Sequence, residues 1–297
     1  MYCQLETLCH CFPLSIQCAL DELPETLDET YDRMLQSIDK EKREFAHGIF
    51  QCLTVSVRPL RAEEVVEVLV IPQGSETMPE FNADWRPEDA KEAILSMCST
   101  LVSIVDVNGL KVVQFSHFTV KEYLTSNRLA ISNIVSHYHI RLQVAHTFLA
   151  RACLCILLQL NDTIDKDHIK EFPLAIYAVE HWVGHTQFEN SSSFIQDEMG
   201  SLFDRDKPHF AAWIRVYNVD HWESHMPSIR PEKPEAPPLY YTALCGFCDM
   251  AQQLVSTHPQ DLYARGGYRT TPLHTALDKG HMEVVLFLLD HGVDVNA

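Results

Sequence analysis

Basic residues are scarce in this chain of 297: 23 Lys and Arg stand against 41 Asp and Glu, for a net charge of −18. Such a surface is repelled by nucleic acid and by anionic lipid, which argues against nonspecific attachment to either. Long apolar runs are missing as well. The richest one, Ala150 to Leu160, is too short for a bilayer and is interrupted by Arg151, so no membrane span is expected. Glycine is sparse, ten in all, and none is followed by lysine. A G-x-x-x-x-G-K-S/T phosphate loop is therefore excluded. The G-x-S-x-G elbow of the α/β-hydrolases is not there either. No basic stretch leading into an apolar run opens the sequence. Its ten cysteines follow no regular spacing, so reduced thiols and a cytoplasmic protein are expected.

What the chain does have is most distinctive near its end. Thr271-Pro272-Leu273-His274-Thr275-Ala276 carries the T-P-L-H-x-A signature of an ankyrin repeat. Thr271 is placed to cap a helix, and Pro272 suits the first turn, where a missing N–H costs nothing. Leu273, Ala276 and Leu277 share one face. Gly280 is predicted to end this helix in the left-handed conformation. Val284, Val285, Leu288 and Leu289 then mark the buried stripe of a second helix, closed by Gly292. A weaker copy lies upstream: Pro238-Leu239-Tyr240 aligns with Pro272-Leu273-His274 at an offset of 34, and Gly246 with Gly280. Tyr240 in the place of the signature histidine puts that residue's usual turn network in doubt, and this copy reads as an N-terminal capping repeat. Repeats of this kind cannot bury their own apolar face and offer a concave surface to another protein. Two fall short of the roughly three needed for independent stability, so further repeats or self-association are expected.

Between residues 23 and 130 the pattern suggests a winged helix. Thr26-Leu-Asp-Glu29 resembles a capping box, and the helix after it carries Leu27, Tyr31, Met34, Leu35 and Ile38. Phe45, Ile49, Phe50, Leu53 and Val57 mark a second helix, which Arg58-Pro59 stops. A third runs from Ala62 to Val70, and a fourth is predicted to begin at Pro87 after a Pro/Gly loop over 72–83. Leu101–Asp106 and Lys111–Phe115 flank Asn108-Gly109, the strongest short signal for a hairpin. Another helix follows over 117–127. The commonest use of this arrangement is DNA binding, but Glu63, Glu64 and Glu67 make the third helix acidic where a recognition helix needs Arg or Lys.

The middle of the chain is helical. His139–Gln159, Pro173–His185 and Pro208–Tyr217 each carry apolar residues at helical spacing and suggest a bundle. Pro227, Pro231, Pro234, Pro237 and Pro238 then favour a stiff, extended linker.

Several patterns imitate chemistry. His181 and His185 lie on one helical face as in a zinc helix, yet the Glu of H-E-x-x-H and a third ligand are missing, which favours a surface or interhelical pair. Cys245-Gly-Phe-Cys248 matches C-x-x-C but falls at a turn with no strand before it, against redox chemistry. Cys3, Cys9, Cys11 and Cys18 near His10 sit at helical spacing among apolar residues, as buried thiols do. Asp28, Glu29 and Asp32 read as a charged helix face.

Leu23-Pro24-Glu-Thr-Leu27-Asp-Glu-Thr-Tyr31, Arg58-Pro59-Leu60 and Phe115-Ser-His117-Phe-Thr-Val-Lys-Glu122-Tyr123-Leu124 together resemble the region after the NACHT ATPase in fungal NLR-like (STAND) proteins. Those proteins commonly end in ankyrin repeats. The similarity extends over residues 2–297 and is looser between about 130 and 235. It implies a winged helix that closes over a bound nucleotide, with His117 at the family position that contacts the diphosphate. An imidazole at a helix start suits an anion; a packed or hydrogen-bonded histidine at the strand-to-helix junction is the other reading. Residues 2–22 resemble the last helix of the ATPase module. The chain thus looks like the C-terminal part of a switch whose motor is missing, and independent hydrolysis is not expected.

The reading that results is a mainly α protein. Residues 1–22 are the end of a truncated NACHT module, 23–130 a winged-helix domain with one β-hairpin, 131–222 a helical connector, 223–237 a Pro-rich linker and 238–297 two ankyrin repeats. The expected role is non-catalytic, with no cofactor or metal of its own: protein–protein interaction and signal relay. A NACHT module is a possible partner near His117. A protein partner is expected on the repeats at Tyr268, Arg269, Asp278, Lys279 and His281. The alternatives are a standalone ankyrin scaffold and, remotely, a winged-helix DNA binder.

Overall fold

Thr26 opens helix α1 (Leu27–Gln36) by accepting from the Glu29 amide at 3.2 Å, one half of the capping box the sequence suggests. Tyr31 and Leu35 turn into the core, whereas Leu27 stays exposed. Helix α2 (Arg43–Val55) buries Ile49 and Phe50 and ends before Pro59, leaving Phe45 and Val57 in solvent. Helix α3 (Ala62–Leu69) follows. The computed structural model describes residues 26–72, 81–161, 163–165, 167–217, 219–220 and 234–294. The expectations for residues 2–22, most of the 72–83 loop, most of the Pro-rich linker and the last turn after Asp294 lie outside these residues. The described residues form two compact units. One contains the chain up to Leu69 with Pro87–Ala145; the other contains Val70–Arg86 with the chain from His146 onward.

In the first unit, helix α4 (Ala90–Cys98) begins three residues later than Pro87. The reason is local: Asp89 accepts from the Glu92 amide at 2.9 Å and takes the N-cap. Strands β1 (Val102–Val107) and β2 (Leu110–Phe115) pair antiparallel from Val102 opposite Phe115 to Val107 opposite Leu110. Asn108 and Gly109 both have positive φ, 54° and 83°, as a two-residue hairpin turn requires. The Asp106 carboxylate holds the turn, accepting from the Gly109 amide at 2.8 Å and pairing with Lys111 at 2.6 Å. The sheet gains a bridge that the sequence does not announce. Arg61 pairs with Val112, and the Val113 amide donates to the Leu60 carbonyl at 2.9 Å. The helix expected over 117–127 is two pieces, α5 (Phe118–Leu124) and α6 (Asn127–Ala130). Ser126 separates them by capping α6 through the Leu129 amide.

From His146 on, helix α7 (Leu142–Leu157) belongs to the second unit, together with α8 (Ala175–Thr186), α9 (Gln196–Phe203) and α10 (His209–Val216). Their core is aromatic. The Trp182 and Trp213 rings meet edge to face at 5.1 Å, with Phe203 and Phe247 against Trp182 at 6.2 and 5.5 Å. The sequence reading misses α9. It carries Asp197 and Glu198 in its first turn, and Glu198 is buried because Arg151 pairs with it at 2.6 Å. The hairpin α11 (Pro238–Cys245) and α12 (Cys248–Thr257) is then repeated as α13 (Pro272–Lys279) and α14 (Met282–Asp290). Gly246 and Gly280 end the inner helices at φ 75° and 74°. The bond from Phe247 N to Thr242 O recurs 34 residues on, from His281 N to Ala276 O, at 3.0 and 2.9 Å. The two copies differ in one respect that matters for binding: every residue of α11 is buried, whereas α13 exposes Leu277, Asp278 and Lys279.

Candidate functional site

The turn before α13 is where surface and network meet. Gly267 at φ 72° and Thr270 at φ 71° set its path, and the Gly266 amide donates to the Thr270 carbonyl at 2.9 Å. A β-branched residue in the left-handed region is strained, and the surrounding bonds hold it there. Asp220, buried and just upstream of the linker, collects this turn. Its Oδ2 accepts from the Tyr268 amide at 2.5 Å and from the Tyr240 hydroxyl at 2.9 Å, and its Oδ1 faces Arg269 Nη1 at 3.2 Å. The Tyr240 oxygen in turn accepts from the Arg269 amide at 3.1 Å. Tyr240 therefore rebuilds a link to the next turn from the signature histidine's position, which settles the doubt raised by that substitution. Burial pushes its hydroxyl up to about 12, the Arg269 amide pulls the other way, and Asp220 adds to the rise. It stays protonated and donates.

Of the five expected contact residues, three present surface. Tyr268 is 67% exposed, with the Arg269 guanidinium 5.2 Å from its ring centre. Asp278 and Lys279 are also exposed. Arg269 is an internal brace: its side chain is 15% exposed and bridges Asp220 to Asp278, the latter at 2.5 Å. His281 lies apart from this group, its Nε2 3.1 Å from the Leu244 carbonyl. Asp220 and Tyr240 are the residues that sequence reasoning misses. Tyr240 at the histidine position was the available signal; nothing local marks Asp220. A methyl at Gly267 would meet the Tyr240 ring at 2.5 Å in a backbone conformation that L residues avoid. Gly267→Ala is expected to lower stability by about 2–3 kcal/mol, read as a shift of the urea midpoint.

His117 caps α5 with its own ring. Nδ1 accepts from the Thr119 amide at 3.3 Å and lies 2.7 Å from Thr119 Oγ1, which is 2.5 Å from the Tyr31 hydroxyl. An Nδ1 that accepts from an amide leaves the proton on Nε2. Tyr31 and Thr119 thus orient an exposed imidazole with Nε2–H as its outward donor. Of the two sequence readings, the hydrogen-bonded junction is present, and it leaves a donor for the other. Helix α5 is short and its Thr119 amide is engaged by the ring, so any anion contact would rest on Nε2–H rather than on the helix end.

The remaining chemical patterns resolve simply. His185 pairs across helices with His146, Nδ1 to Nδ1 at 2.8 Å, while His181 stands beside Glu180 at 3.4 Å. Among the described residues no three metal-binding side chains converge. Burial pushes the Cys245 thiol up to about 12 and raises that of Cys248, which disfavours thiolate chemistry. Among the described residues, no helix is long and apolar enough to cross a membrane.

Comparison with known proteins agrees with this geometry. Residues 31–136 match the family described as "GPI inositol-deacylase, winged helix domain", and residues 221–297 match "Ankyrin repeats (3 copies)". The chain is 30% identical over 293 residues to "Azaphilone pigments biosynthesis cluster protein L" of Monascus ruber, covering 93% of this chain and 61% of that protein. It is 41% identical over 61 residues to "Alpha-latrocrustotoxin-Lt1a" of Latrodectus tredecimguttatus, 20% of this chain and 4% of the toxin. No solved structure matches. The chain spans about three fifths of the length of the Monascus protein. It carries a winged-helix domain related to that of GPI inositol-deacylase, followed by ankyrin repeats, in a mainly helical fold.

Proposed function

We propose that this chain is the non-catalytic interaction and relay part of an NLR-like NACHT-ankyrin sensor working in the cytoplasm. The observation that carries the reading is the turn at Tyr268: an exposed tyrosine whose backbone is pinned by buried Asp220. Rigid aromatic anchors of this kind dominate protein interfaces. The order of winged helix and ankyrin repeats supports the sensor assignment, and the oriented Nε2–H of His117 supports a NACHT module as the partner of the winged helix. Where such a module brings a nucleoside diphosphate, His117 touches its phosphate through Nε2–H. The scaffold alternative, in which residues 1–225 are dispensable, is disfavoured because their loss removes Asp220. The DNA-binding alternative is disfavoured because α3 is buried on nearly every side, with Glu63 exposed.

The test uses the full chain as bait in a two-hybrid screen of the source organism's own expressed proteins. A direct binder is then titrated against wild type, Tyr268→Ala and His117→Ala. A repeat-bound partner is expected to weaken about thirtyfold with Tyr268→Ala, near 2 kcal/mol, and to ignore His117→Ala. A purified NACHT module loaded with ADP should show the converse pattern. Binders indifferent to Tyr268→Ala would remove the assigned surface, and a NACHT module that ignores His117→Ala would remove the relay.

A further inference from the structure

The interhelical histidine pair is used by neither site. His185 on α8 is buried, and both of its ring nitrogens are engaged. Nδ1 lies 2.8 Å from Nδ1 of His146 on α7, and Nε2 lies 2.8 Å from the Tyr177 hydroxyl. Phe188 stacks on His146 with ring centres 4.0 Å apart. Two residues beyond His185, Gln187 Nε2 donates at 2.7 Å to the Cys245 carbonyl at the end of α11. The pair thus sits at the corner where the helical bundle meets the first ankyrin hairpin, within one compact unit.

Proton counting decides what this arrangement can do. Two nitrogens 2.8 Å apart share one hydrogen. In the neutral pair one Nδ1–H donates to the other Nδ1. One further proton is accommodated on half-buried His146: it donates from Nδ1, and His185 turns its Nε2–H toward Tyr177. A second added proton places N–H against N–H and two positive charges side by side in a buried setting. The shared bond must then break. The titratable groups that bear on His185 are His146 from α7 and His181 and Tyr177 from its own helix. Both histidines oppose a charge there. Of the nearby charges, Arg151 of α7 pairs with Glu198 and Glu180 lies 3.4 Å from His181.

We propose that His146 and His185 form a proton-operated latch, closed while they share a hydrogen and opened when both carry an added proton, which loosens the corner joining α8 to the ankyrin hairpin. Burial, with His146 and His181 adding to it, brings the His185 imidazole down to about 3 from the ordinary 6.5. A basic group depressed in the closed state binds its proton only on opening. Closure is therefore fully favoured above pH 6.5 and weakens as pH falls from there toward 3. The open fraction should rise about tenfold between pH 7.5 and 5.5, a window that stays above the pI of about 5.2.

Hydrogen exchange on the full chain reads this directly, with rates corrected for the intrinsic pH dependence. Peptides covering 175–194 and 238–248 should lose about tenfold protection over that window, while peptides in α9 and α14 hold theirs. In His185→Gln, which keeps polar contacts and does not titrate, the same peptides should show no pH dependence. Unchanged wild-type protection, or an equal loss in His185→Gln, would overturn the latch. Should that variant not fold, imidazole nitrogen spectra of the wild-type chain decide. His185 is expected to remain neutral throughout the window from pH 7.5 to 5.5; a His185 that charges within it would refute the latch.

Discussion

Trp182→Ala is expected to lower stability by about 4 kcal/mol, near the upper range for truncating a buried aromatic. The indole is wholly buried, meets Trp213 edge to face and touches Phe203 and Phe247. Truncation removes its apolar area and leaves a void bounded by three rings that cannot all move in. For a unit of this size the loss corresponds to a melting shift of roughly 8–16 °C. Trp182→Phe should be far milder, below about 1.5 kcal/mol. The Trp182 indole N–H is buried without a hydrogen-bond partner, so replacing it by carbon removes an unsatisfied donor while keeping a ring in the slot. Near-ultraviolet circular dichroism followed through thermal melts of the three proteins separates these outcomes. Equal shifts for Ala and Phe would mean that a phenyl ring recovers none of the packing and that the full indole, not an aromatic ring as such, is needed to fill the slot.

The elements that are legible in the sequence are those whose pattern is local. The Asn108-Gly109 hairpin, the Thr26 and Thr271 caps and the glycine ends at 246 and 280 are each written within a few residues, and the structure contains them. The signature repeat fixes its own helices because T-P-L-H and the glycines punctuate them. Elements that escape the sequence are held by distant partners. Helix α9 hides behind Asp197 and Glu198, since a buried carboxylate looks like surface until Arg151, 47 positions away, is seen beside it. Acidic α3 misleads in the same way. Its glutamates suggest an exposed face, yet Glu64 and Glu67 are buried. The candidate site divides along this line. Tyr268, Asp278 and Lys279 are legible as turn and helix surface. Arg269 is largely taken up as a brace because Asp220 claims it across 49 positions of chain. No periodicity could point to that carboxylate, and the histidine pair of α7 and α8 is hidden for the same reason: i, i+4 spacing joins His185 to His181, whereas contact joins it to His146.

Arg58→Ala is the second large loss, expected at about 3 kcal/mol in urea melts at pH 7.5. Glu64 is fully buried. Its two oxygens take Arg58 Nη2 at 2.7 Å and Nη1 at 2.9 Å, the Arg61 amide at 2.7 Å and Arg61 Nη2 at 3.2 Å. Burial alone would raise this carboxyl. The Arg58 hydrogen bonds and the Arg61 amide outweigh it and bring the group below its ordinary value. In the wild-type chain the pair therefore stabilises above the ordinary carboxylate range and fades as pH falls through the depressed value. Removing Arg58 reverses the balance. The carboxylate keeps its burial and loses its bidentate partner, so its folded value moves above the unfolded one. The loss is then full at neutral pH and shrinks as acid protonates Glu64. The double change Arg58→Ala with Glu64→Leu should regain at least about 1 kcal/mol of the single loss, since a paired charge replaced by an apolar group of similar size is close to neutral. A double variant no more stable than Arg58→Ala would mean that Arg58 acts by packing over α3 rather than by holding its charge. A loss that does not diminish in acid would say the same by an independent route. Glu64 is the device that lets an acidic helix lie inside the winged helix, its amide bond to Arg61 fixing the residue that bridges to β2, and this variant measures how strongly the wing depends on it.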